Sequence, residues 1–150
     1  MRKMLSVAGE IYHVFNRGMH KQNIFRNPVD YWRFLFLITH FQSPKTFTNI
    51  SHDTKHLVKQ INEHRVSIKS AEHVATNRTV ILLSFALMPN HFHLLIKVLK
   101  DVAISDYMQR IQNAYTKYFN TKNKSTGHLF QGPYRIVHVI DNNQLLHTSA

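Results

Sequence analysis

His91 and His93 stand one residue apart in "LMPNHFHLLIKV", residues 87–98, inside an apolar run that follows a Pro-Asn turn. Imidazole ligates metals and moves protons near neutral pH, so the pair is the first place to look for chemistry. Successive residues of a strand point to opposite faces. A strand here puts Phe92, Leu94, Ile96 and Val98 in one row and His91, His93, Leu95 and Lys97 in the other. The wholly apolar row must be buried, which leaves the two histidines side by side on the open face, about 7 Å apart at their Cα atoms. Both rings could converge on one metal ion from there. Two ligands do not complete a site, because a catalytic metal takes a third protein group and keeps a position for water or substrate. Imidazole favours zinc or another transition metal, whereas phosphoryl transfer on DNA is commonly served by magnesium or manganese, and the pair alone does not choose. Satisfied surface histidines without a metal are the competing reading.

The charge of the chain points to the partner. Lys and Arg number 19 against 8 Asp and Glu, a net +11, and twelve histidines can add to it. A polyanion fits that balance. The excess is patterned: Ile11 to Val29 carries three basic residues and no acid, and Tyr107 to Ile140 carries five and no acid. Two such stretches could fold into one basic surface. The absence of cysteine excludes disulfides and thiolate metal sites and fits a reducing cytoplasm. No apolar run reaches bilayer length and the opening "MRKMLSVAGEIYHV" has no signal-peptide core, so a cytoplasmic protein without membrane contact is expected.

The elements that must position the histidines follow from periodicity. One domain suits 150 residues with 43% hydrophobic content. "EIYHVFNRG", residues 10–18, reads as a strand with Ile11, His13 and Phe15 on one face. "NPVDYWRFLFLITHF" reads as a core helix capped by Asn27, with Pro28 at its first position and Tyr31, Phe34, Leu35, Ile38 and Phe41 at helical spacing. Residues 43–78 turn polar and form a partly helical insertion, with Asp53 as the expected cap of a short helix bearing Leu57, Val58 and Ile61. "TVILLSFAL" is then a strand expected to be buried on both faces, and "HFHLLIKV" is its hairpin partner. A second core helix is expected from a cap at Ser105 through Met108, Ile111, Tyr115, Tyr118 and Phe119. "GHLFQGPYRIVHVI" adds a basic loop and a last strand, and "DNNQLLHTSA" opens a helix. This order makes an α+β fold: a ferredoxin-like antiparallel sheet with helices on one face and a partly helical insertion.

Taken together, "YHVFNRGMHKQNIF", "LMPNHFHLLIKV", "YTKYFN" and "GHLFQGPYRIVHV", in this order and spacing, resemble the single-tyrosine His-hydrophobe-His transposases, most closely the REP-associated tyrosine transposases. The resemblance covers nearly the whole chain outside the insertion. It implies a ferredoxin-like domain, working as a homodimer, that cuts and rejoins single-stranded DNA beside a hairpin. His91 and His93 would be the catalytic metal-binding pair for a divalent cation, Mg or Mn, polarising the scissile phosphate. A tyrosine oxygen attacks that phosphorus, giving a 5′-phosphotyrosine and a free 3′-hydroxyl, with no need for ATP. In the family this tyrosine lies on the helix after the last strand, in a segment reading roughly Tyr-Ile-His-x-Asn-Pro, and the same helix supplies the third ligand. The chain reaches Ala150 where that tyrosine is expected next, so the nucleophile is expected beyond it and cleavage by these 150 residues is not expected. Tyr115 is the fallback nucleophile, but Tyr115 and Tyr118 share the apolar stripe of Ile111 and read better as core.

DNA contacts are expected from two loops: Asn16, Arg17, Lys21 and Arg26 after the first strand, and Lys122, Lys124, His128 and Arg135 before the last, with Phe130 or Tyr134 free to stack on an unpaired base. Three rival readings remain. A ferredoxin-like RNA-binding module would need a strand like Lys-Gly-Phe-Gly-Phe-Val, which is absent. A histidine nucleotide hydrolase would need a third alternate histidine where Leu95 stands, and a two-motif phosphodiesterase a second His-x-Thr or His-x-Ser strand, of which "HTS" at His147 is a faint echo. A non-cleaving hairpin-DNA-binding protein would keep the charge and the fold and dispense with the metal.

Overall fold

The computed structural model describes residues 5–45, 47, 49–63 and 76–144. Four strands, β1 (Ile11–Arg17), β2 (Val80–Met88), β3 (His91–Val98) and β4 (Arg135–Val139), form one antiparallel sheet in the order β2-β3-β1-β4. Helix α1 (Pro28–His40) connects β1 towards β2, helix α2 (Ile50–Asn62) lies in the insertion, and helix α3 (Ala103–Asn123) joins β3 to β4. This is the ferredoxin-like arrangement.

The alternation in β3 decides which way the sheet faces. Phe92, Leu94, Ile96 and Val98 are fully buried in the cluster that also holds Tyr12 and Val14 of β1, Phe34, Leu37 and Ile38 of α1, and Met108, Ile111 and Tyr115 of α3. The apolar rows of β1 and β3 thus meet the two long helices. The other face carries the histidines. Helix α1 begins as its sequence demands: Asn27 is the cap, its side chain accepting from the Asp30 N–H, with Pro28 at the first position where no donor is needed.

Four expectations change. β2 is not buried on both faces: Leu83, Phe85 and Met88 are 44%, 48% and 37% exposed, because among the described residues the strand sits at the sheet edge with β3 on one side. Asn49, not Asp53, caps α2, its side chain accepting from His52 N–H and leaving Asp53 inside the first turn. Ser105 is already inside α3, which starts after Val102, a residue in the left-handed region with no side-chain cap. Phe130 is 5% exposed and packs edge-on against Phe92, so it is core and unavailable for stacking on a base. After β4, residues 142–144 turn helical and Asp141 accepts from the Gln144 N–H as a cap; the rest of "DNNQLLHTSA" lies outside the described residues.

Gly18 ties β1 to the loops around the histidines. Its N–H donates to Asn90 O, its neighbour Met19 donates to Leu129 O, and Gln131 donates back to Arg17 O. A Cβ at Gly18 would lie 2.2 Å from the carbonyl oxygen of Gln22, so only glycine lets the chain turn this tightly. His20 and Lys21 follow in the left-handed region, and that turn brings Lys21 to the start of β3.

Candidate active site on the open face

A cavity of about 430 Å³ opens on the sheet face away from the helices. Its walls come from three strands and three connections. β3 contributes His91, Phe92 and His93, β1 contributes Phe15, Asn16 and Arg17, and β4 contributes Arg135. Lys21, Asn90 and Gln131 complete the rim. The register explains the convergence: Phe15 pairs with both His93 and Arg135, and Arg17 pairs with His91, so all share one end of the sheet.

Each histidine is held by one edge of its ring. The Nδ1 of His91 lies 2.7 Å from Asn90 Oδ1, and since a carboxamide oxygen only accepts, Nδ1 carries the proton and Nε2 keeps its lone pair. The Nδ1 of His93 lies 2.9 Å from Nε2 of His13, on the neighbouring strand. The His13 ring packs against those of Phe15 and His93, with ring centres 4.9 and 5.1 Å away. Burial lowers the pKa of both His13 and His93, and for His93 the charges of His13 and His91 lower it further. Rings that resist protonation are rings that can ligate.

The donor chemistry therefore fits a divalent cation in part. His91 and His93 are two neighbouring imidazoles, each with its Nδ1 engaged and no hydrogen bond to Nε2 among the described residues. Among those residues no group of three or more His, Cys, Asp or Glu is arranged around one point, so the pair would supply two positions and leave the others to water and substrate oxygens.

The expected DNA contacts divide. Arg17, Lys21 and Arg135 surround the histidines. Arg17 is oriented by its Nε, which donates to Gln131 Oε1 at 2.6 Å. Asn16 also lines the cavity, but its side chain is turned to internal work: the amide donates to Gln112 and to the Gly132 carbonyl, and the oxygen accepts from Arg17 N–H. Arg26 and Lys122 are elsewhere, the first over the Phe119 ring and the second paired with Asp30 at 2.7 Å. Lys124 ends α3 in the left-handed region, and His128 lines a separate groove with Gln112, Thr116 and Asn120.

The tyrosines are not at the cavity. None of the six lines it. Tyr115 is fully buried and its hydroxyl donates to the Ile24 carbonyl; Tyr118 donates to Asp30 at 2.7 Å. Burial raises both hydroxyl pKa values far above the ordinary range, aided at Tyr118 by the Asp30 hydrogen bond. Residues that sequence reading passed over are His13, Asn90 and Gln131. Only His13 carried a signal, its place on the same β1 face as Phe15.

Comparison with known proteins agrees with this fold. Residues 47–148, more than half of the chain, match the family described as IS200-like transposases. Among solved structures, a REP-associated tyrosine transposase bound to a REP hairpin aligns with a TM-score of 0.55 at 10% identity, over 95% of this chain and 64% of that one. This chain thus spans less than two thirds of that protein. A Deinococcus radiodurans protein described as "a putative transposase" aligns with a TM-score of 0.48 at 12% identity, over 95% of this chain and 88% of that one. No curated protein matches the sequence. A family match of that extent, over a chain whose ferredoxin-like sheet carries a His-hydrophobe-His strand, has one conclusion: the chain belongs to the IS200-like transposase family.

Proposed function

We propose that this domain binds single-stranded DNA beside a hairpin on the open face of its sheet and presents one phosphate to a divalent cation, Mg or Mn, held by His91 and His93. The observation that carries the reading is the cavity itself, which brings two half-satisfied imidazoles together with Arg17, Lys21 and Arg135. Basic side chains at that spacing position a phosphate backbone, and the fixed plane of Arg17 suits a bidentate contact with phosphate oxygens. A divalent cation between the histidines would polarise a bound phosphate for in-line attack by a tyrosine. Pairing of two copies belongs to the same proposal, by likeness to the family.

The attacking hydroxyl is not one of the six tyrosines in this sequence. Support comes from their placement outside the cavity and from the buried, hydrogen-bonded state of Tyr115 and Tyr118. The experiment incubates the chain with hairpin-bearing single-stranded DNA and Mn²⁺, then looks for a covalent adduct by denaturing gel and peptide mass spectrometry. Hairpin binding without an adduct is the expected result. An adduct on Tyr115, Tyr118 or any other tyrosine of the chain sinks this assignment.

The absence of all six tyrosines from the cavity wall also favours a second reading, a non-cleaving hairpin-DNA-binding protein. The two readings part on metal: hairpin binding that ignores Mn²⁺ and survives replacement of both His91 and His93 by alanine supports the second.

A further inference from the structure

We infer that His13 is a positioning residue, which accepts the Nδ1 proton of His93 on its own Nε2 and so holds His93 in the tautomer whose Nε2 lone pair is available at the cavity. The inference rests on the proposed metal site for its purpose and for the direction of the hydrogen bond, but the contact itself does not. The two nitrogens lie 2.9 Å apart. One must donate and the other accept, and three observations assign the direction.

The first is the sheet. Phe15 pairs with His93 and His13 pairs with Leu95, so His13 and His93 are diagonal neighbours on the open face, within reach for aromatic rings but offset towards the sheet interior. His13 lies on the interior side of His93 and is not part of the cavity wall, whereas His93 is. The hydrogen bond therefore occupies the inner edge of the His93 ring and leaves the opposite edge as its functional one. The second is the neighbouring ligand. His91 is fixed by Asn90 Oδ1 through the same atom, Nδ1, and there the oxygen must accept. With His13 as acceptor, both histidines offer Nε2 and both donate Nδ1–H to an adjacent group; with His13 as donor, His93 would carry its proton on the edge that must ligate. The third is packing. The rings of His13, Phe15 and His93 form a three-way cluster with centres 4.9–5.7 Å apart, which holds the His13 nitrogen beside His93. A metal-ligating imidazole normally gives its other N–H to a fixed acceptor, which sets the tautomer and raises basicity. Here a third histidine takes the place more often filled by a carboxylate or a carbonyl.

The experiment has a metal-free arm and a metal arm. In the metal-free wild-type chain labelled with ¹⁵N in its imidazoles, long-range ¹H–¹⁵N correlation should place the His93 proton on Nδ1; a proton on Nε2, the tautomer favoured by free histidine in water, overturns the inference. In the second arm Mn²⁺ alone is titrated and the free ion is followed by electron paramagnetic resonance. His13→Phe keeps the stack and removes the acceptor, and should weaken Mn²⁺ binding by about 10–100-fold, while His13→Gln, whose Oε1 can accept near the same point, should stay within about threefold of wild type. Equal affinity of His13→Phe and wild type overturns the inference. A wild-type chain that binds no Mn²⁺ sinks the metal reading of the site, and the tautomer measurement then decides the role of His13 by itself. The amide spectrum of each variant reports whether it folds, and the wild-type arm needs no variant.

Discussion

Two polar clusters in this molecule use similar groups for different ends. Around Asp30, fully buried, every bond is closed: its carboxylate accepts from Lys122 Nζ and Tyr118 Oη, both at 2.7 Å, and from the Arg26 N–H at 2.8 Å. Around His93 the bonds are closed on one side only. His13 and Asn90 engage the Nδ1 atoms of the two cavity histidines, and their outer nitrogens have no protein partner among the described residues. A satisfied buried network spends its polarity on holding α1 and α3 together, whereas a half-satisfied one keeps capacity for a ligand. The contrast separates structure from site among residues that look equally chemical in the sequence.

That contrast makes graded predictions. Asp30→Ala should have the largest effect, because it strands a cation and two donors at the junction of α1 and α3; a loss of about 3 kcal/mol in urea unfolding is expected, the low end for a broken buried pair because Lys122 reaches solvent. Its Mn²⁺ affinity should not change. Burial alone would raise the Asp30 carboxyl, but hydrogen bonds from Lys122, Tyr118 and Arg26 and the Lys122 charge leave it below its ordinary value. The stabilisation is therefore fully present above about pH 4 and is lost as the pH falls through the depressed value, so Asp30→Asn should show a flatter acid limb than wild type.

Tyr115→Phe removes a buried donor to the Ile24 carbonyl and should cost about 1–2 kcal/mol without touching DNA binding, an outcome that would keep Tyr115 on the structural side. Replacing His91 and His93 together by alanine should cost less than about 1 kcal/mol in stability, since neither is deeply buried, yet abolish Mn²⁺ binding. A stability loss as large as that of Asp30→Ala would break the contrast. The smallest effect belongs to Arg135→Ala, exposed at the cavity rim: folding should be unchanged, and the slope of log affinity for DNA against log salt should fall by about one unit.

The period of two in "HFHLLIKV" and the capped, 3.6-periodic run after Asn27 were legible because each is a local pattern whose buried face is apolar throughout. β3 and α1 lie where those patterns put them. β2 misled for a physical reason: a strand of nearly continuous apolar residues reads as central, but whether it is covered depends on what stands beside it, and the edge position comes from topology. Phe130 misled in the opposite sense, since an aromatic residue in a basic loop reads as exposed until the loop is seen folding against Phe92. The helix starts at Asn49 and Val102 were missed because capping depends on which side chain turns back to the helix, and Asp53 and Ser105 were plausible only by residue type.

By itself the sequence determined the row that holds His91 and His93, the core faces of the sheet and of its two long helices, the basic excess, and a resemblance that the family match bears out. Tertiary structure decided which basic residues reach the histidines, sending Arg17, Lys21 and Arg135 to the cavity and Lys122 to Asp30. It also decided that His13 meets His93 from 80 residues away. Local patterns are set by bonds along the chain, but a hydrogen bond between strands depends on register, and register is settled only when the whole sheet packs.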